Sequence, residues 1–214
     1  MYEKKAVPKT GTRRFTVVRP TEKRVPGVLI NLLKDTSAPV LVALSEQYHL
    51  PRVPGLSQQA LIDRLIRNLS AAELNELKDS LIAARFGGMP IEMLLRLALE
   101  RDTIRAARRR IRAARARLDT ISPDEAVLLE GGPRRWAFTM HGYDVLVDLT
   151  ARRLACSCTF FSFAARRRAL CKHIATAFEL IPETYAREAL IDLLVWREYG
   201  TTDMPGWQFE ARAA

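Results

Sequence analysis

The pattern of apolar positions changes its period along this chain, and the change falls near residue 131. Upstream of it, apolar residues recur at the three- and four-residue spacing of an amphipathic helix. Leu41, Leu44 and Tyr48 fit one helix face, and the apolar residues between Leu61 and Leu69 fit another. These runs predict that residues 28–87 are helical.

A capping signal marks the start of a third helix in this region. Ser70 is followed three residues later by Glu73, which is the arrangement of a capping box. The apolar residues from Leu74 to Ile82 continue the same helix, and Gly87-Gly88 predicts its end, because glycine is common just after helices.

Pro90 favours the first turn of a further helix, which we predict to run from about residue 90 to 119. Apolar residues at alternating three- and four-residue spacing form a seam from Ile104 to Leu118. Arginines follow the same spacing on a neighbouring face, and we take three of them as candidate phosphate contacts: Arg105, Arg108 and Arg112.

After Gly131-Gly132-Pro133 the apolar residues alternate with period two, which is typical of strands. Residues 136–140 and 143–149 predict two strands joined by a turn at His141-Gly142, and residues 154–158 predict a third. Helices are expected again from Cys171 to residue 181 and over residues 183–199. The fold class is therefore α+β, with a mostly helical N-terminal region, a long arginine-rich helix, a small ββα-like domain and C-terminal helices.

These boundaries define four expected regions. Residues 1–27 form a basic, flexible arm, residues 28–130 a helical domain, residues 131–200 a second domain with a terminal helix, and residues 201–214 a loose tail.

The charge balance favours a polyanionic partner. The 214 residues include 34 Lys and Arg against 24 Asp and Glu, a formal net charge of +10. Such a field attracts nucleic acid first and an anionic membrane surface second, although an arginine-rich composition can also reflect a GC-rich genome. No stretch of about 18 apolar residues predicts a membrane span, and the charged N-terminus is unlike a secretory signal.

All three cysteines lie within sixteen residues, and one histidine follows the last of them, in the pattern Cys156-x-Cys158, twelve residues, Cys171-x-His173. Residues i and i+2 of a strand point to the same side, so the first pair can share an ion. Cys171 should precede a helix and His173 should lie in its first turn. Three thiolates and one imidazole complete a tetrahedral zinc site with no open position, which predicts a structural site and no enzyme activity. Buried core cysteines and a redox thiol pair are the alternatives.

This pattern and the strands before it resemble the SWIM zinc finger, over about residues 134–181. The family often has a proline where this chain has Thr159-Phe160. The resemblance implies Zn²⁺ binding, with DNA binding or protein interaction near DNA and no catalysis. A weaker resemblance covers about residues 38–70, where two apolar helices and the loop with Gly55 are similar to a SAP-type helical hairpin, although an ordinary hairpin has the same pattern.

The sequence therefore predicts a zinc-binding, nucleic-acid-associated accessory protein of the cytoplasm, nucleoid-associated if bacterial. It contacts DNA, or RNA, with little sequence preference. The alternative is an adaptor that binds a protein of a helicase, recombination or transposition complex. Beside the arginines of the long helix, the candidate contacts near the finger are Arg152, Arg153, Arg166, Arg167, Arg168 and Lys172.

Overall fold

The computed structural model describes residues 25–99, 122–202 and 204–211. Residues 1–24 of the basic arm and residues 100–119 of the predicted long helix, with Arg105, Arg108 and Arg112, lie outside the described residues. The fold class is α+β, as predicted. Within the described residues, no helix is both long and apolar enough to cross a bilayer.

Four helices form the N-terminal region: α1 (Gly27–Lys34), α2 (Ala38–Gln47), α3 (Gln58–Asn68) and α4 (Ala71–Ile82). The capping box is present, since the Ser70 side chain accepts from the Glu73 N–H while the Glu73 side chain accepts from the Ser70 N–H. A π-helical turn, Ala83–Gly87, follows α4 and ends at Gly88. The helical prediction for residues 28–87 is confirmed, with a break between α2 and α3.

Helix α1 is buried on two sides, because its apolar residues repeat at i and i+4 twice. Leu29 and Leu33 face a core formed with α2, α3 and α4. Val28 and Leu32 face a second core, which contains α5 (Ile91–Leu99) and the C-terminal half of the chain. Helix α1 therefore packs against both cores, one on each side.

The sheet has five strands in the order of the chain: β1 (Ala126–Gly131), β2 (Arg135–Met140), β3 (Tyr143–Asp148), β4 (Arg153–Cys156) and β5 (Gln208–Ala211). The first four are antiparallel neighbours, and β5 returns parallel to β4. Strands β2 and β3 confirm the predicted hairpin. The turn His141-Gly142 needs positive φ at both residues, 53° and 78°, which glycine adopts easily.

Strand β1 was not predicted. Because of it, Gly131-Gly132-Pro133 marks a connection between two strands, whereas the sequence placed a boundary between two regions there. Gly131 is the last residue of β1 and Gly132 follows it in the connection to β2, so the strand before the expected boundary pairs with the strand after it. Three consecutive apolar residues, Val127, Leu128 and Leu129, do not alternate with polar ones, and all three are exposed. The usual period-two signal of a half-buried strand is therefore missing.

Residues 208–211, which we expected to be loose, form the edge strand β5. Asp192 holds this end of the chain through two bonds, one accepted from the Trp207 indole N–H at 2.9 Å and one from the Arg152 guanidinium at 3.0 Å. Arg152 also donates to the Pro205 carbonyl oxygen. Strand β5 pairs with β4 between residues that lie far apart in the sequence, such as Arg153 and Gln208, and local propensity does not report such a pairing.

Three helices complete the fold: α6 (Thr159–Ala165), α7 (Lys172–Leu180) and α8 (Glu183–Tyr199). Helices α7 and α8 confirm the prediction. Helix α6 lies between the third predicted strand, which ends at Cys158, and the helix predicted from Cys171, where no regular element was predicted. Its Phe161 and Ala164 are buried at helical spacing, which is a signal that the sequence did contain.

Candidate metal centre

The four predicted ligands come from the ends of three elements. Cys156 is the last residue of β4, Cys158 is the N-cap of α6, Cys171 is the N-cap of α7 and His173 lies in the first turn of α7. The positions of Cys171 and His173 are as predicted. Cys158 differs, because β4 ends at Cys156 and the chain turns between the two thiols.

That turn is held in place by Ser157, whose role the sequence did not reveal. Its backbone N–H donates to the Asp144 carbonyl oxygen at 3.0 Å, and its Oγ accepts from the Asp144 N–H at 2.9 Å. The Cys158 N–H in turn points at the Cys156 sulfur, 3.5 Å away. Ser157 therefore anchors the Cys-x-Cys turn to β3, so both sulfurs are positioned by the sheet.

The segment between the two ligand pairs is anchored at its far end as well. The Leu170 N–H donates to the Ala98 carbonyl oxygen of α5 at 3.0 Å, and the Ala169 N–H returns to Ala164 at the end of α6. Arg168 adopts a positive φ of 53° in this turn. These bonds fix the segment before Cys171, so that Cys171 lies at the start of α7 and near the Cys156 and Cys158 thiols.

The four donor atoms all lie within 4.8 Å of one another, and the four residues are buried. A tetrahedral ion with zinc–sulfur bonds of about 2.3 Å holds its donors roughly 4 Å apart, so this cluster has the size that the ion requires. His173 Nδ1 is buried and has no hydrogen-bond partner among the described residues. An unpartnered buried nitrogen is costly, and metal ligation is one way to remove that cost. The donor set therefore fits Zn²⁺.

The thiols readily give up protons to one another in this cluster. A hydrogen bond from the Cys171 thiol lowers the pKa of Cys156 to about 5 and that of Cys158 to about 7. The same bonds raise the pKa of Cys171, and a hydrogen bond to Cys156 raises the pKa of His173. The donor atoms therefore share protons through hydrogen bonds, and Zn²⁺ would displace these protons when it binds.

Two further contacts support the ligands. The Ile174 N–H donates to the Cys171 sulfur, which favours the thiolate at the N-terminus of α7. The Tyr143 ring packs on His173 with a centroid distance of 4.9 Å and a tilt of 54°. Tyr143 therefore restricts the imidazole orientation from the β3 side.

This geometry defines the class of the site. Four buried protein ligands close a tetrahedral centre that joins a strand end to two helix starts, which is the arrangement of a structural zinc finger. The family model described as SWIM zinc finger matches residues 143–182, which contain all four ligands. The chain thus contains a SWIM zinc finger and binds Zn²⁺ through it. No curated protein and no solved structure matches the chain.

The predicted nucleic-acid contacts fall into three groups. Arg166, Arg167 and Lys172 are exposed at the finger. Arg105, Arg108 and Arg112 lie outside the described residues. The others have intramolecular partners: Arg152 binds Asp192, Arg153 lies 3.7 Å from Glu210, and Arg168 packs over Trp196 at 4.5 Å. Binding of nucleic acid by any of them stays a prediction.

Arg168 belongs to a stack of rings that joins α6, β5 and α8. Trp196 stacks on Phe209 with centroids 6.1 Å apart, and Phe209 stacks on Phe161 at 6.0 Å. The Arg168 guanidinium covers the outer face of Trp196, which is favourable as a cation–π contact. The structure therefore gives Arg168 a packing role that its position in an arginine run did not indicate.

Proposed function

We propose that this chain is a non-enzymatic, zinc-stabilised accessory protein that binds nucleic acid, chiefly DNA, with little sequence preference. The observation that carries the proposal is the exposed basic group formed by Arg166, Arg167 and Lys172, before and within the second ligand pair. Arg166 and Arg167 follow α6 directly and Lys172 begins α7, so the zinc centre holds all three on one small framework.

The charge of these residues supports phosphate binding. Their side chains form no ion pair with the described residues, in contrast to Arg152 and Arg153. An arginine fork pairs with two phosphate oxygens at once, and the net charge of +10 strengthens the attraction at a distance. Contacts to phosphate carry no base identity, so weak sequence preference follows.

The closed donor set supports the absence of enzyme activity. Catalytic zinc sites use three protein ligands and leave a position for water or substrate, whereas here four protein side chains occupy the tetrahedron. The ion would supply only a fixed link between β4, α6 and α7. The residues of the chain would make every contact to the partner.

A salt titration of DNA binding tests the proposal. We expect Arg166→Ala combined with Arg167→Ala to weaken binding to duplex DNA about tenfold at moderate salt. Removal of two phosphate contacts should also reduce the slope of log K against log salt by about 1.8. Fluorescence anisotropy at four or more salt concentrations measures both quantities.

The matched control removes the same charge elsewhere. Arg52 and Arg67 are exposed in the helical region, so Arg52→Ala with Arg67→Ala changes the net charge equally without touching the finger. Equal losses in the two double variants would contradict a binding site at the finger. Zinc content and thermal melting of both variants should match the unaltered protein.

The exposed edge of the sheet favours the alternative function, an adaptor for a helicase or recombination protein. Val127, Leu128 and Leu129 of β1 are 60%, 56% and 62% exposed, and among residues 25–99, 122–202 and 204–211 only one edge of β1 is paired. An exposed apolar edge strand can accept a strand from another protein. Co-purification of one protein at high salt, lost in Leu128→Lys, would support the adaptor.

A further inference from the structure

Helix α6 exposes two phenylalanines, although this residue type is usually buried. Phe161 is completely buried, whereas Phe160 is 47% and Phe163 is 63% exposed. Residues three apart lie on the same helix face, so Phe160 and Phe163 form one aromatic surface. Core packing explains Phe161 and leaves the exposure of Phe163 without a structural reason.

A cleft of about 650 Å³ continues this surface toward the metal centre. Phe160 lines the cleft together with Tyr143, His141 and Lys172, and the ligands Cys158, Cys171 and His173 form part of its wall. The cleft thus combines rings with a cationic side chain at its border. Clefts of this size accept small planar groups.

Positive charge surrounds the aromatic surface. Arg166 and Arg167 follow it at the C-terminal end of α6, and Lys172 borders it on the cleft side. Aromatic faces between basic side chains are the combination that single-stranded nucleic acid recognises, since bases stack on rings while phosphates meet the charges. A base inside a duplex is already stacked and paired, so its face is not available to such a surface.

We propose that the aromatic surface of Phe160 and Phe163, with its adjoining cleft, binds unpaired nucleobases. One base stacks on Phe163 and the next enters the cleft beside Tyr143. The phosphates contact Arg166, Arg167 and Lys172. This inference rests on the proposed function and specifies its partner as single-stranded nucleic acid. Both ring positions depend on the zinc centre, because α6 begins at one ligand and the cleft wall contains three.

The test compares an oligothymidine with an oligonucleotide of equal length whose bases are replaced by abasic sites. Both carry the same phosphates, so the difference in affinity isolates the contribution of the bases. We expect the unaltered protein to bind oligothymidine about tenfold more tightly than the abasic strand. Phe163→Leu should reduce that ratio to about two, because leucine keeps an apolar side chain and the helix but removes the aromatic face.

Controls separate this inference from the proposed function. Leu180→Ala, which shortens an exposed side chain on α7, should keep the tenfold ratio. Arg166→Ala with Arg167→Ala should weaken binding to both strands by the same factor, because it removes only phosphate contacts. Zinc content and melting temperature confirm that each variant is folded.

Equal affinity for the two strands in the unaltered protein would overturn the inference while leaving salt-dependent binding, and hence the proposed function, intact. A tenfold ratio that survives in Phe163→Leu would also overturn it, because the bases would then contact another part of the protein. Absence of binding to every oligonucleotide, single-stranded or duplex, would refute both proposals.

Discussion

Two regions of this molecule reach a stable arrangement by different means. In the core formed by α1 to α4, nine leucines and one isoleucine are buried against one another. In the finger, the last residue of a strand and the first residues of two helices converge on four donor atoms. The helical region depends mainly on many similar apolar contacts, whereas the finger combines apolar packing with four donor atoms that cannot be exchanged.

Apolar burial alone does not explain the difference, because the finger also contributes buried residues to a core, among them Val147, Phe161 and Phe178. The helices have whole faces of leucine, and each buried aliphatic side chain contributes about 1.5–3 kcal/mol. Helix α6 has seven residues and exposes two of its three phenylalanines, so it contributes less. Zinc ligation adds a further link at the point where α6 and α7 begin.

The largest expected effect is the loss of a zinc ligand. Cys158→Ala should abolish stoichiometric zinc and unfold residues 143–181, because such ions contribute about 10–16 kcal/mol, comparable to the entire stability of a domain. Hydrogen exchange measured by peptide should show lost protection there and retained protection in α2 to α4. Persistent protection of the finger, in this variant or in excess chelator, would contradict the structural role of the ion.

Truncation of a core leucine in the helical region should lower the free energy of unfolding by a smaller amount and should leave zinc binding intact. Leu65 is fully buried, and Leu65→Ala should lower the free energy of unfolding of this region by about 2–5 kcal/mol. Denaturant unfolding followed by helix signal measures the loss. Zinc stoichiometry should remain one per chain, and a loss of zinc would show that the two cores are more strongly coupled than their separate contacts suggest.

The smallest effect concerns the stack that joins α6 to α8. Arg168→Leu should lower the free energy of unfolding by only about 0.5–1 kcal/mol, since it removes one cation–π contact at an exposed site. Thermal melting measures the shift. Because the guanidinium lies on Trp196, we expect the variant to change DNA affinity less than Arg167→Ala does, and the reverse order would assign Arg168 to the binding surface.

The helical region and the finger also differ in how much of their structure has a local signal in the sequence. Helices with leucine faces and the Ser70–Glu73 box were predictable, because their period and caps are local. The four ligands were predictable from spacing, and the start of α7 followed from the geometry of Cys171 and His173. Helix α6 was missed because its three phenylalanines were interpreted as a loop, although Phe161 and Ala164 have helical spacing.

Strands β1 and β5 could not be predicted from local pattern. The apolar residues of β1 are consecutive and exposed, and its existence follows from pairing with β2 across the Gly-Gly-Pro connection. Strand β5 has four residues and pairs parallel to β4 after α8 has crossed back. In both cases the partner strand decides the conformation, because a strand forms its hydrogen bonds with another segment.

The sequence by itself determined the ion, its four ligands and the helical character of the first region, because coordination chemistry and helix periodicity act over short distances along the chain. Tertiary structure decided the rest. It directed Arg152 and Arg168 to Asp192 and Trp196, anchored Ser157 to Asp144, and left Phe163 and Arg167 exposed. Exposure and partnership depend on segments that are distant in sequence, so a run of arginines or phenylalanines does not show which members are available for binding.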